Sequence, residues 1–169
     1  MITQTRVREL FDYDPETGVL TWRVSPARNV PAGSVAGTKC LSGYRQVGID
    51  GRLYRAHRII WLHVHGELPQ VLDHADGDPS NNCLANLRKA THSQNMYNQR
   101  MNRRNTSGFK GVSWCKQRRK WTANIRTRTK HKNLGFYATA REAATVYVLE
   151  ALELHGEFFN PGEHLAKAA

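Results

Sequence analysis

The strongest constraint on the fold of this chain is a turn-dense run, Ala75 to Asn82 (ADGDPSNN), set between two short pieces that read as extended. Gln70-Val71-Leu72 is a brief apolar approach to Asp73 and His74, and Asn86-Leu87-Arg88-Lys89-Ala90 reads as a second extended piece. Thr91-His92-Ser93-Gln94 carries the Thr-x-x-Gln spacing of a capping box, so a helix is expected to open at Thr91 with Asn95 in its first turns. Strand, loop, strand and helix in that order bring the end of the first strand and one face of the helix toward a single point.

The side chains collected there have a chemical logic. Hydrolysis of a phosphate ester needs a base for the water and a hard cation for the charge that develops on the phosphoryl and leaving-group oxygens. Magnesium takes one or two protein oxygens and fills its remaining positions with water and substrate phosphate. Asp73 and Asn95 can supply two such oxygens, and His74 is the residue type that accepts a proton near neutrality. Asn86 is placed to help fix the imidazole. Taken singly, an Asp-His pair in a turn is a solvated loop, and ADGDPSNN alone could pass for an acidic calcium loop, although the closing Glu of such a loop is missing. The joint spacing is what selects the hydrolytic reading.

The run LDHADGDPSNNCLANLRKATHSQN, with Asp73-His74, Asn86 and Asn95, resembles the HNH nuclease family and its ββα-metal motif. The resemblance implies that His74 is the general base, that Asp73 and Asn95 are metal ligands, and that Asn86 braces the loop and orients His74. Asn95 stands where many members carry histidine, as in the His-Asn-Asn subgroup of phage homing and free-standing endonucleases. An amide oxygen is a harder donor than imidazole, which favours Mg²⁺ or Mn²⁺ over Zn²⁺.

Charge points to the partner. The chain holds 25 Lys and Arg against 14 Asp and Glu, a formal +11, and the excess is segregated. Arg100, Arg103, Arg104, Lys110, Lys116, Arg118, Arg119, Lys120, Arg126, Arg128, Lys130 and Lys132 fall between residues 100 and 135 with no acidic residue among them, leaving the rest of the chain near neutral. A basic stretch of this kind is the footprint of a polyanion, and double-stranded DNA is the expected partner. Gln99 to Thr106 (QRMNRRNT) has no apolar periodicity and reads as a basic linker suited to the DNA backbone or minor groove.

Ser107 to Trp114, Lys120 to Arg126 and Asn133 to Tyr137 alternate apolar with polar residues and are expected to be three strands. Thr139-Ala140-Arg141-Glu142 is a second capping box, and Ala143, Ala144, Tyr147, Val148, Ala151 and His155 recur at helical spacing up to Gly156. This part resembles the Apetala-type DNA-binding domain of plant ethylene-response factors through Lys110-Gly111-Val112, Lys120-Trp121, Ala123, Ile125-Arg126, Leu134-Gly135, Glu142-Ala143-Ala144, Gly156 and Asn160-Pro161. In that family a sheet lies in the major groove, which implies base or phosphate contacts for Trp121 and Arg126. Ser113 and Cys115 stand where arginines are expected, so the plant recognition sequence does not transfer. Trp114, Arg118, Arg119, Arg128 and Lys130 complete the candidate DNA surface, with Trp114 and Trp121 equally suited to core packing.

Upstream, Thr5 to Phe11 suggests a short helix, Asp14 to Gly18 a turn and Val19 to Val24 a strand. Asp50-Gly51 between two extended runs is a hairpin signal, and His57 to His65 (HRIIWLHVH) reads as a helix. His57, Arg58, His63 and His65 are further candidates for the scissile phosphate. The expected organisation is an α+β protein: a nuclease domain over 1–98 with an N-terminal extension, a linker over 99–106, and a three-stranded antiparallel sheet packed on one helix over 107–169. Cys40, Cys83 and Cys115 form no Cys-x-x-Cys pair, which argues against a zinc knuckle or a disulfide framework. With no secretion signal and no apolar run of membrane length, the cytoplasm of an infected bacterial host is the expected location, as monomer or homodimer. The competing reading is a catalytically silent DNA-binding protein.

Overall fold

A computed structural model describes residues 2–102, 104–127 and 131–161. The architecture is α+β, every strand pairing among the described residues is antiparallel, and the chain divides into two compact units, Met1–Thr91 and His92–Ala169.

In the first unit, helix α1 (Gln4–Leu10) is capped by the Thr3 hydroxyl, which accepts from the Arg6 amide, and it ends where β1 (Phe11–Tyr13) turns back on β2 (Leu20–Trp22). The turn between these strands is built by one carboxylate: Asp14 accepts from the Glu16 and Thr17 amides and from the Thr17 hydroxyl. Strands β3 (Thr38–Lys39), β4 (Arg45–Ile49) and β5 (Arg52–Arg55) form a small sheet. Asp50 and Gly51 both adopt positive φ, 48° and 75°, the geometry of a two-residue type I′ hairpin turn that an Asp-Gly pair tolerates. Helix α2 (Ala56–His65) buries Ile59, Ile60, Trp61 and Leu62 among Val7, Phe11, Leu20 and Val47, and it stops at Gly66 in the left-handed conformation. Strands β6 (Val71–His74) and β7 (Leu87–Ala90) close the unit as a two-stranded ribbon whose Leu72 and Leu87 join that same core.

The second unit begins with α3 (His92–Tyr97), directly after Thr91. Tyr97 stacks on His155 with ring centroids 3.6 Å apart, so α3 packs with the C-terminal elements. Strands β8 (Val112–Cys115), β9 (Lys120–Arg126) and β10 (His131–Tyr137) follow in the order β10-β9-β8, and helix α4 (Ala140–His155) lies on them. Ala143, Ala144 and Ala151 are fully buried against Val112, Ala123 and Ile125, since only a small-residue face lets a helix approach a short sheet so closely. Thr139 accepts from the Glu142 amide, and Glu142 reaches back to the Ala138 amide, one residue further than the reciprocal bond of an ideal capping box.

The first of the three expected strands starts later than the alternation suggests. Residues 107 to 111 form a tight turn in which the Ser107 hydroxyl donates toward the Phe109 and Val112 carbonyls and Asn105 accepts from the Gly108 amide. These local side-chain bonds offer the backbone an alternative to the ladder, and Gly108 and Gly111 take positive φ. A Cβ on Gly111 would fall 2.1 Å from the Tyr147 ring. Gly111→Ala is therefore expected to destabilise the second unit by about 2–4 kcal/mol through combined strain and overpacking. Chemical denaturation monitored by tryptophan fluorescence measures it, and a change within about 0.5 kcal/mol would be the level of a neutral surface substitution.

Candidate active site

The β6–β7 ribbon is registered so that Asp73 faces Arg88 and His74 faces Leu87. With the two-residue alternation of a strand, Leu72 and His74 share one face with Leu87, while Asp73 and Arg88 share the other. Carboxylate and imidazole thus flank the strand end from two sides, and both are about 5% exposed or less. Arg88 Nε donates to Asp73 Oδ2 at 3.0 Å, and Nη2 lies 3.0 Å from the same oxygen. Two nitrogens of the guanidinium thus converge on Asp73 Oδ2.

The long loop after His74 is held by Asn86. Its Oδ1 accepts from the Asp76 amide at 3.0 Å, and its Nδ2 donates to Asp76 Oδ1 at 3.0 Å and to the Asn81 carbonyl at 2.8 Å. Asp76 also accepts from the Asp78 amide and from Asn81 Nδ2, and Asp78 accepts from the Ser80 amide and hydroxyl. The loop carboxylates Asp76 and Asp78 are thus engaged by donors of the loop itself. These bonds tie Asn86 to the Asp76 and Asn81 ends of the loop, and in the same loop Asn82 Oδ1 lies 3.1 Å from His74 Nε2.

Around His74 the first unit assembles an aromatic enclosure. The His57 ring meets it edge-on at 4.9 Å and the Tyr44 ring at 5.8 Å, with Arg55 stacked 4.8 Å above Tyr44. A Cβ at Gly43 would lie 2.8 Å from Pro79, so the Tyr44 segment sits close against the loop. His57 is the one of the four α2 candidates that these contacts bring to His74. Arg58 donates to the Pro69 carbonyl, His63 packs on Tyr13, and His65 packs on Trp61 at 4.1 Å. Arg88, Asn82 and Tyr44 go beyond the expected site residues. Arg88 is foreshadowed by lying opposite Asp73 once the hairpin register is drawn, and Asn82 by the Asn-Asn doublet, whereas Tyr44 carries no local signal.

Asn95 lies on α3, in the second unit. Among the described residues no three His, Cys, Asp or Glu side chains form a metal-binding group. The Asp73 carboxylate is a hard oxygen donor of the kind that suits magnesium or manganese.

The candidate DNA residues are placed unevenly. Arg100, Arg104, Arg118, Arg119, Lys120 and Arg126 are exposed; Arg103, Arg128 and Lys130 lie outside the described residues. Arg118 stacks 4.4 Å above Phe136. Trp114 and Trp121 are cross-strand partners in edge contact at 5.2 Å, Trp114 nearly half exposed and Trp121 packed against the helix-side core. Lys110 points inward: its ammonium donates to the Tyr97, Gln99 and Asn160 carbonyls, and burial pushes its pKa down to about 8.

Burial, aided by the charges of His74, Arg58 and Arg55, pushes the His57 imidazole down to about 3. Unfolded histidine titrates near 6.5, so between those values the unfolded chain binds a proton that the folded chain refuses. Stability is complete above about pH 6.5 and is lost as pH falls toward 3. Thermal melts are expected to show a loss of about 2 kcal/mol from this group between about pH 6.5 and 5, and His57→Gln should flatten that dependence. Parallel pH curves for the two proteins would refute the assignment.

A family model described as HNH endonuclease matches residues 54–97, which span α2, the β6–β7 ribbon and α3. Protein 3.8 of Escherichia phage T7 is 36% identical over 106 residues, 62% of this chain and 87% of that protein. The protein named Uncharacterized HNH endonuclease L560 of Acanthamoeba polyphaga mimivirus is 34% identical over 127 residues, 72% of this chain and 64% of its own length. The solved structure described as DNA binding and cleavage by the HNH homing endonuclease I-HmuI shares 24% identity, 53% of this chain and 51% of that chain, with a TM-score of 0.40. A phage relative matched over 87% of its own length, and a family match falling on the elements that carry Asp73, His74, Asn86 and Asn95, lead to one assignment: the chain belongs to the HNH endonuclease family through the domain at residues 54–97.

Proposed function

We propose that this protein is a metal-dependent DNA endonuclease, encoded by a phage, that hydrolyses phosphodiester bonds in duplex DNA within the infected cell. The observation that carries the reading is the β6–β7 ribbon, which sets a buried carboxylate and a buried imidazole on consecutive residues beside a loop braced by Asn86.

In the mechanism, His74 removes the proton from a water that attacks the phosphorus in line with the departing 3′ oxygen. Asn86 keeps the loop closed so that the ring stays in place. Asp73 and Asn95 would hold one Mg²⁺ or Mn²⁺, which when bound supplies charge stabilisation to the phosphoryl and leaving oxygens. Arg88 keeps the Asp73 carboxylate in one orientation.

The second unit is proposed as an Apetala-like DNA-binding module. Its three-stranded antiparallel sheet on one helix supports this, as do the exposed Arg118, Arg119, Lys120 and Arg126 and the half-exposed Trp114; the proposed DNA-contacting set also includes Arg128 and Lys130, which lie outside the described residues. Trp121, packed toward the helix, steadies the sheet under these groups. The functional division of nuclease 1–98, linker 99–106 and binding module 107–169 places α3 with the catalytic residues, although its packing is with the C-terminal elements.

Purified protein is expected to nick or linearise supercoiled plasmid with Mg²⁺ or Mn²⁺ and to stop in EDTA. His74→Ala should lower cleavage by about 10²–10⁴-fold while leaving DNA affinity unchanged. Wild-type cutting by that variant would remove His74 from the mechanism, and an untouched plasmid under every metal would favour a silent DNA-binding protein. Replacing Arg100, Arg103 and Arg104 with glutamine is expected to lower the slope of log affinity against log salt by up to about 0.9 per lost phosphate contact. An unaltered slope in a filter-binding titration would take the linker off the DNA.

A further inference from the structure

The sheet of the second unit has one covered face and one open face. Ala123 and Ile125 lie under α4, so the two-residue alternation of β9 turns Thr122, Asn124 and Arg126 to the other side. There β8 contributes Ser113, opposite Thr122, and β10 contributes Asn133, opposite Asn124. No acidic residue occurs on the three strands, and Arg118 is stacked above Phe136, the β10 partner of Thr122. Lys120 and Arg126 stand at the two ends of β9, with a hydroxyl and two amides between them. A surface made only to hold phosphates needs cations; amides at its centre add donors and acceptors that a base edge can distinguish.

Asn124 is held in one orientation by its neighbours. A bulge in β10 between Asn133 and Gly135 lets the Gly135 amide donate to Asn133 Oδ1 at 3.0 Å. A backbone amide can only donate, which identifies the Asn133 oxygen and leaves its Nδ2 to donate to Thr122 Oγ1 at 2.8 Å and to Asn124 Oδ1 at 2.9 Å. The Asn124 atom facing that N–H is thereby its oxygen, and its own Nδ2 reaches Thr122 Oγ1 at 3.3 Å. Asn133 has committed both amide hydrogens. Asn124, half-buried, retains a second lone pair on Oδ1 and a second N–H on Nδ2.

We propose that this face reads an adenine in the major groove of duplex DNA, with Asn124 as the specificity-determining residue and Asn133 and Thr122 as the groups that position it. The proposal rests on the reading of the second unit as a DNA-binding module. Adenine presents an N6 donor and an N7 acceptor, the complement of one amide oxygen and one amide N–H. Guanine presents two acceptors in the same place, cytosine a donor, and thymine an acceptor beside a methyl group, so each of them leaves part of the amide unmatched. On β8 the open face carries Ser113 and Cys115, neither of which has the paired donors that guanine takes.

The test selects from a library of random duplexes with the full-length protein in EDTA and sequences the bound fraction. Wild type is expected to enrich a site with an obligate adenine at one position. Asn124→Ala should lose the preference at that position alone, with affinity for the selected site falling about 10–100-fold. Asn124→Asp keeps an acceptor for Asn133 and has no donor, so the preferred base there should change to cytosine. Placing 7-deazaadenine at that position removes the N7 acceptor, and should weaken wild type about 10-fold while leaving Asn124→Ala unaffected. A selected site without an obligate adenine, an adenine preference that survives Asn124→Ala, or tighter binding of the same sequence as RNA overturns the proposal. With duplex binding intact, the first two of these leave the DNA-binding reading standing; absence of any duplex binding removes that reading and the proposal with it. Should Asn124→Ala fail to fold, Asn124→Asp and the 7-deazaadenine site on wild type carry the test, and no change in either overturns the proposal.

Discussion

A loop as long as the one between β6 and β7 has no ladder of its own, so its amides and carbonyls must find partners among its side chains or lose them to solvent. The Asp76–Asn86 bridge answers that need, tying the first residues of the loop to the last, and the rest of the site follows from it. With the loop closed, Asn82 is delivered to His74, and the β6–β7 register that sets Arg88 against Asp73 can persist to its final pair. The abundance of Asp and Asn here is a hydrogen-bonding requirement before it is a catalytic one.

Closing the loop has an electrostatic price. It buries two imidazoles 4.9 Å apart, with Arg55 and Arg58 nearby, and two protonated rings in that space would repel each other while losing water. The site tolerates this by keeping His57 neutral over the physiological range. A neutral neighbour presents no charge to His74, and its ring edge helps to fix the plane in which the imidazole stands.

Much of this was legible in the amino-acid order. Asp50-Gly51, the apolar spacing of α2, the alanine face of α4 and the Thr139 cap each follow from local rules acting without competition. The ribbon around Asp73 and His74 was readable because turn-forming residues bound it on one side and a helix start on the other. Reading failed where a side chain is recruited from afar or where two local patterns compete. Tyr44 reaches His74 only because the β3–β5 sheet carries it there, and residues 107 to 111 alternate like a strand yet fold as a turn because Ser107 and Asn105 hold the backbone first. Charge segregation identified the second unit as basic without revealing which of its cations face outward.

Lys110 makes that last distinction concrete. Its ammonium gathers the end of α3, the segment after it and the residue before Pro161 by donating to one carbonyl from each, and Phe159 lies beneath it at 5.7 Å. Lys132 is similarly committed, to Glu150 on α4. A charge-neutralising scan across the basic stretch would therefore mix two kinds of casualty: surface arginines whose loss spares the melting temperature, and an anchoring lysine whose loss loosens the module from within. Only a thermal profile taken beside each affinity would keep a broken scaffold from being mistaken for a severed contact.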